Sequence, residues 1–172
     1  MDVLLKCGKF TVCRKPVRAR DGGMHDYEIV VHPGAVVVLP LLDGGRCVLI
    51  RNFRHAIDQE LWELPAGTLD AADEPPEQAA RREVEEETGY QAERLFEMGA
   101  FYSSPGFMTE KLYAFVAAGL TKTRQRLEPT ERIHVEVVGV EEALEMIRDG
   151  RIVDAKTIVT LLRWNLLGRP GT

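Results

Sequence analysis

The residues with the most chemical potential lie in the run Arg81-Arg82-Glu83-Val84-Glu85-Glu86-Glu87-Thr88-Gly89. A helix turns about 100° per residue, so Glu83, Glu86 and Glu87 fall in one stripe, at spacings of three and four. Like charges stacked in this way repel each other, and a cation held among them removes that cost. Hard divalent cations take carboxylate oxygens. Mg²⁺ in particular takes one or two carboxylates, several waters and substrate phosphates. The stripe is therefore a candidate half-site that phosphate would complete. Arg82 precedes Glu86 by four and can pair with it, fixing its orientation. The plain alternative is a solvated acidic face, the ordinary meaning of a charge run. The flanking sequence decides between the two.

A helix carrying this stripe has clear ends. Pro75-Pro76 suits a first turn, whose N–H groups have no intrahelical partner. Gly89 stands where a left-handed residue commonly closes a helix. Ala80 and Val84, one turn apart on an adjoining face, are free to pack on a sheet. Upstream, 10–17 and 25–32 read as strands around the turn signal Asp21-Gly22-Gly23. A second pair, 35–42 and 46–53, flanks Asp43-Gly44-Gly45 and is rich in Val, Ile and Leu, as strands buried on both faces are. Downstream, 92–102, 111–118 and 133–140 read as strands, and 141–148 as a helix. Asp154 can cap a last helix that ends near Gly168. The expected fold is mixed α/β (α+β), a central sheet with helices packed on it.

The flanks carry a resemblance. Gly67, then Glu74, then seven residues, then Arg82-Glu83-Val84-Glu85-Glu86-Glu87-Thr88-Gly89-Tyr90, resembles the Nudix box, a loop-helix-loop of form G-x5-E-x7-R-E-U-x-E-E-x-G-U with U bulky and apolar. Every position from Glu74 to Tyr90 matches. Six residues, not five, separate Gly67 from Glu74, and a register held from Gly67 puts Asp73 in the acidic place. The resemblance implies a Nudix-type mixed sheet sandwiched by helices. It implies Glu83 and Glu87 as principal metal ligands and Glu86 as a further ligand or water-bridged helper. Arg82 is implied as the orienting arginine, and the Ala66 carbonyl as completing the metal site. The implied cofactor is Mg²⁺, with Mn²⁺ as a substitute, and the implied reaction is water attack on a diphosphate.

Further matches narrow the substrate. Arg51-Asn52-Phe53-Arg54 and Glu60-Leu61-Trp62-Glu63-Leu64-Pro65-Ala66-Gly67 resemble the approach to the box in the ADP-ribose pyrophosphatase subgroup. Ser104-Pro105-Gly106 does too, with Pro105 sixteen residues after Gly89, as does the ending from Gly150 to Thr157. The implied substrate is ADP-ribose or a related ADP-sugar, contacted by Arg54, Arg51, Glu63, Glu110 and Pro105. Arg54 is the leading phosphate clamp, because guanidinium pairs bidentately with phosphate oxygens. In the subgroup an N-terminal β extension, here residues 1–33, joins two subunits, and the hydrolase domain follows, here 34–172. An aromatic of the extension stacks on the neighbour's adenine; Tyr27 matches it, with Phe10 a poorer candidate. The general base lies on a late loop, where Glu131 is the first candidate and Glu128 the second.

Composition sets the outer bounds. A hydrophobic share of 45% and a charged share of 28% describe an ordinary globular domain. The formal charge of −5 argues against a nucleic-acid coat or a basic membrane-surface protein, and it means an anionic substrate needs local cations. The three cysteines fit no zinc spacing and read as idle thiols. The four histidines form no HExxH pattern and read as structural or surface groups. No signal peptide or membrane span is evident, so a cytoplasmic protein is expected, with a nucleotide-sugar substrate, neither nucleic acid nor membrane as partner, and a homodimeric assembly. The rival expectations are another nucleoside diphosphate sugar or a modified nucleoside triphosphate, a non-catalytic nucleotide-sensing module, and a structural acidic helix without ligand.

Overall fold

The turn signals and apolar runs produce two sheets. In the computed structural model, which describes residues 1–69 and 74–172, strands β1 (Asp2–Lys6), β2 (Thr11–Arg18) and β3 (Met24–Val31) form a separate antiparallel sheet. Strands β4 (Ala35–Leu42) and β5 (Arg46–Arg54) meet at Asp43-Gly44-Gly45, where both glycines have positive φ, 76° and 69°. Then follow β6 (Gln59–Glu63), β7 (Ala66–Thr68), helix α1 (Pro76–Thr88), β8 (Tyr90–Tyr102), β9 (Lys111–Lys122), β10 (Ile133–Gly139), α2 (Val140–Arg148) and α3 (Ala155–Leu166). Asp73 lies outside the described residues. Among the described residues no helix is long and apolar enough to cross a membrane.

Three short strands, β1, β6 and β7, are additions to the sequence-based reading. β6 and β7 matter most, because they sit in a fork. β4 and β5 pair only beside their turn, Leu41 with Cys47 and Leu42 with Arg46. Beyond it they diverge. β4 continues between β9, which runs parallel to it, and β7, which pairs Ala35 to Val37 with Thr68 to Ala66. β5 continues between β10 and β6. Leu64 and Pro65 cross the gap between the two branches, and the Pro65 carbonyl accepts from Val38 N–H at 2.9 Å. A proline cannot donate to a ladder, so the chain changes branch there.

Alternation along β4 separates two cores. Val36 and Val38 face α1, packing with Ala79, Ala80, Val84 and Phe115. Val37, Leu39 and Leu41 face the other way, towards Ala143, Met146, Leu161 and Trp164 of α2 and α3. The helices therefore cover both faces of the larger sheet, as expected. Burying Val84 completely contributes about 1.5–3 kcal/mol and clamps α1 against the sheet by its apolar side, which orients its acidic side.

The N-terminal sheet is tied to the loop after β8. Val30 N–H donates to Phe107 O at 2.8 Å, Thr109 N–H to Val30 O at 2.9 Å, and the Tyr27 hydroxyl to Gly106 O. At the end of α1, Gly89 adopts φ 69° and ψ 30°, and its N–H donates to Glu85 O at 2.8 Å. A Cβ there would lie 3.0 Å from the Gln125 backbone nitrogen. Gly89→Ala should therefore cost about 1–2 kcal/mol, read as a lowered urea midpoint at constant slope. An unmoved midpoint would mean that this cap does not hold the helix end.

Candidate active site

The acidic side of α1 lines a cavity of about 480 Å³ that opens between the branches of the fork. Its wall includes Glu83, Glu86, Glu87 and Arg82 from α1, Ala66 and Gly67 from β7, Arg54 from β5, and Glu128 and Glu131 from the loop before β10. The sequence-based site is thus largely brought together in one place.

Glu83 is 8% exposed and lies directly against Gly67. A Cβ on Gly67 would sit 2.0 Å from the Glu83 carboxyl carbon. The glycine is needed for the space it leaves, since its backbone φ is ordinary. Arg82 orients the carboxylates as anticipated, donating from Nη1 to Glu83 at 2.6 Å and to Glu86 at 3.3 Å. Its Nε and Nη2 also reach the Glu74 carboxylate, each at 3.5 Å. Glu74 therefore belongs to the same cluster.

Glu87 is 4% exposed and accepts the Ala66 N–H at 2.8 Å. Burial pushes its carboxyl up to about 8, with Glu83 and Glu131 adding to the rise and the Ala66 N–H and Arg54 opposing it. Burial likewise pushes Glu83 up to about 7, against the pull of Arg82. Two carboxylates are thus held where their charge is poorly solvated.

The loop carrying Glu128 and Glu131 is anchored at its root to the end of α1. Gln125 Nε2 donates to Glu87 O at 2.7 Å, Arg126 N–H to Glu86 O at 2.8 Å, and Thr123 N–H to Gly89 O at 2.7 Å. Glu131 is half-buried, and its Oε2 accepts the Glu128 N–H at 2.8 Å. Its other oxygen has no hydrogen-bond partner among the described residues. Glu128 is exposed. His55, read from sequence as a structural or surface group, lines the cavity, with Nε2 3.1 Å from Thr130 O.

Arg54 reaches the cavity but not alone. Its Nε donates to Glu63 Oε1 at 2.7 Å and its Nη2 to Glu63 Oε2. Glu63 has no exposed surface, so it stands behind the wall and does not touch the cavity. Lys156 at the start of α3 also donates to Glu63 Oε2, at 2.6 Å. Sequence reasoning gave no role to Lys156, although it stands in the matching stretch from Gly150 to Thr157, and none to Gln125: each acts through a partner dozens of residues away. Arg54, Ala66, Gly67 and Thr68 also border a second cavity of about 420 Å³, lined by Glu110, Ser103 and Lys156. Besides Glu63, three expected substrate contacts lie outside both cavities of this chain. Arg51 pairs with Glu60 (3.2 Å) and Glu136 (3.4 Å) and stacks over Trp62. Pro105 is exposed on its turn, and Tyr27 is 44% exposed on β3.

The donor set suits a hard divalent cation. Glu83, Glu86 and Glu87 offer carboxylate oxygens, two of them buried, beside Ala66. Among the described residues no group of three or more His, Cys, Asp or Glu side chains is arranged to hold a metal ion by itself. A partial set is what Mg²⁺-type sites use, with water and phosphate supplying the rest. The proton balance is then testable. Without metal, the folded chain holds protons on Glu83 and Glu87 up to about pH 7 and 8, while the unfolded chain releases them near the ordinary carboxylate value. Stability of the metal-free protein therefore falls as pH rises through that window. A bound divalent cation displaces those protons. The metal-induced rise in Tm should be small at pH 5 and largest near pH 8. A rise equal at both values would mean that these carboxylates do not hold the metal.

The comparisons agree with this geometry. The NUDIX domain family matches residues 31–161. The chain is 41% identical over 143 residues to the ADP-ribose pyrophosphatase of Bacillus subtilis, covering 82% of this chain and 77% of that one. It is 40% identical over 147 residues to the GDP-mannose pyrophosphatase of Cronobacter sakazakii, covering 78% and 74%. A solved ADP compounds hydrolase shares the fold with a TM-score of 0.82 at 20% identity, over 98% of this chain and 93% of its own. With a buried glutamate pair on a helix of the matching sequence and a family match across that helix, the chain belongs to the Nudix family, whose hydrolases generally use divalent metal ions.

Proposed function

We propose that this chain hydrolyses the diphosphate linkage of ADP-ribose or a related ADP-sugar, with Mg²⁺ as cofactor and Mn²⁺ as a substitute, releasing AMP and a sugar phosphate. The observation that carries the reading is the buried Glu83–Glu87 pair facing Arg54 and Glu131 across one cavity. The 41% identical relative is named ADP-ribose pyrophosphatase, which supports the choice of substrate.

In this reading Glu83, Glu87, Glu86 and the Ala66 carbonyl hold the metal, and Arg82 keeps the glutamates aligned. Bound divalent cations neutralise the diphosphate and lower the pKa of the attacking water. Arg54 clamps a phosphate. Glu131 takes the proton from the water as its oxygen bonds to phosphorus, the bridging P–O bond breaks, and the second phosphate leaves with the bond electrons. Glu128 is the second candidate for the base. Residues 1–33 form an extension that joins two copies and carries Tyr27 to the neighbour's adenine, while 34–172 form the hydrolase domain. Glu110 and Pro105 contact the substrate from the loop after β8. Arg51 is the weakest contact, given its two carboxylate partners. A cytoplasmic setting fits three free thiols, of which Cys47 is pushed up to about 12 by burial, with Glu142 adding to the rise.

A second reading, cleavage of a guanosine-linked sugar, is favoured by the 40% identical GDP-mannose pyrophosphatase. Incubation with Mg²⁺ and a panel of nucleotide sugars and modified triphosphates separates the two. AMP and ribose 5-phosphate should form fastest from ADP-ribose, and chelation should stop them. Faster turnover of GDP-mannose would replace the substrate and keep the chemistry. Silence across the panel with metal bound would point to a nucleotide-sensing module. Glu131→Gln should lower kcat by about 10²–10⁴-fold with KM little changed; a change in KM alone would remove it as the base.

A further inference from the structure

Glu63 is the most deeply enclosed carboxylate bordering the site, and it has two cationic partners. A buried charge is tolerated when it is paired and hydrogen-bonded, and here the pairing is arranged asymmetrically. Arg54 presents two nitrogens, Nε and Nη2, to the two carboxylate oxygens, a forked contact that fixes the orientation of the guanidinium at two points. Lys156 adds a third donor on Oε2 at 2.6 Å. Lys156 is itself held by Asp154 Oδ1 at 2.8 Å. Asp154 caps α3 through Thr157 N–H at 2.9 Å and accepts the Thr157 hydroxyl at 2.6 Å. Thr157 Oγ1 accepts the Leu64 N–H at 2.8 Å, beside Glu63 in the chain. The polar path thus closes on itself, from Arg54 on β5 to the first turn of α3 and back to the end of β6.

Two consequences follow for the cavity. The Arg54 Nη1 has no hydrogen-bond partner among the described residues, so its donors remain for a ligand. Its direction is set from behind by a group the ligand never meets. Lys156 also changes the local charge. Arg54 and Lys156 against Glu63 and Asp154 make a neutral cluster, so Lys156 balances the carboxylates behind the wall, and what Arg54 offers a phosphate is its Nη1 edge.

We propose that Glu63 is a positioning residue. Through the fork to Arg54, and with Lys156 as its counter-charge, it aims the guanidinium at the phosphate of the substrate. This rests on Arg54 being the phosphate clamp of the proposed reaction. The pairing with Lys156 provides a test that separates aim from charge balance. Glu63→Gln removes the charge and one acceptor, and adding Lys156→Met restores the balance by removing one cation.

Steady-state kinetics with ADP-ribose, Mn²⁺ binding by electron paramagnetic resonance, and Tm would be measured on Glu63→Gln, on the double variant and on Arg54→Ala. The expected result for Glu63→Gln is at least a tenfold loss in kcat/KM, most of it in KM, with Mn²⁺ affinity unchanged and Tm lowered. In the double variant Tm should recover and KM should not. Recovery of KM together with Tm would show that Glu63 serves charge balance only and would overturn the proposal, as would a wild-type KM in Glu63→Gln. If the single variant does not fold, the KM of the charge-balanced double variant decides alone. Arg54→Ala guards the premise: a wild-type KM there would remove Arg54 as the clamp and, with it, anything for Glu63 to aim.

Discussion

Carboxylates belong in water, and helix α1 holds two of its own out of it. Glu83 and Glu87 are nearly inaccessible, and burial raises both well above the ordinary carboxylate range. The surrounding structure exists to sustain that arrangement. The apolar side of α1 is locked to the sheet by Ala79, Ala80 and Val84, which turns the charged side towards the fork. Gly67 vacates the space that the Glu83 carboxyl fills, and the Ala66 N–H supplies one hydrogen bond to Glu87. What remains unsatisfied is charge, which a divalent cation would satisfy.

The same constraint explains how an acidic chain receives an anion. Four of its cations stand at or beside the cavity with carboxylate partners. Arg82 lies over Glu83 and Glu86, Arg126 pairs with Glu85 at 3.4 Å, and Arg54 and Lys156 share Glu63. Each cation is fixed by a carboxylate partner, so the cavity wall is already ordered before a ligand arrives. Preorganised charge of this kind avoids rearrangement at the moment of reaction.

How much of this is visible in the chain's own letters depends on the reach of each interaction. The helix, its left-handed end at Gly89 and the carboxylate stripe are local, with partners within a few residues, and they stand where the sequence analysis puts them. The long strands are also local, because an apolar run such as Ala35–Leu42 declares its own burial. The fork is not. β6 and β7 are five and three residues long, broken by Pro65, and they become strands only because β4 and β5 separate. Glu63 shows the same limit. Its surrounding motif marks it as part of the site, yet only the distant Lys156 and the packing of α3 make it a buried anchor rather than a surface contact.

The divergence of β4 and β5 has a cost that is easily overlooked. Two strands that part company leave facing rows of bare N–H and C=O groups, and such edges template the pairing of other chains. β6 and β7 cover those rows, one on each branch. The segment from Gln59 to Thr68 therefore closes both edges while it supplies Glu63, Ala66 and Gly67. Cavity wall and edge cover are one stretch of backbone. A lesion that frees it would bare both edges and open the cavity wall at the same time.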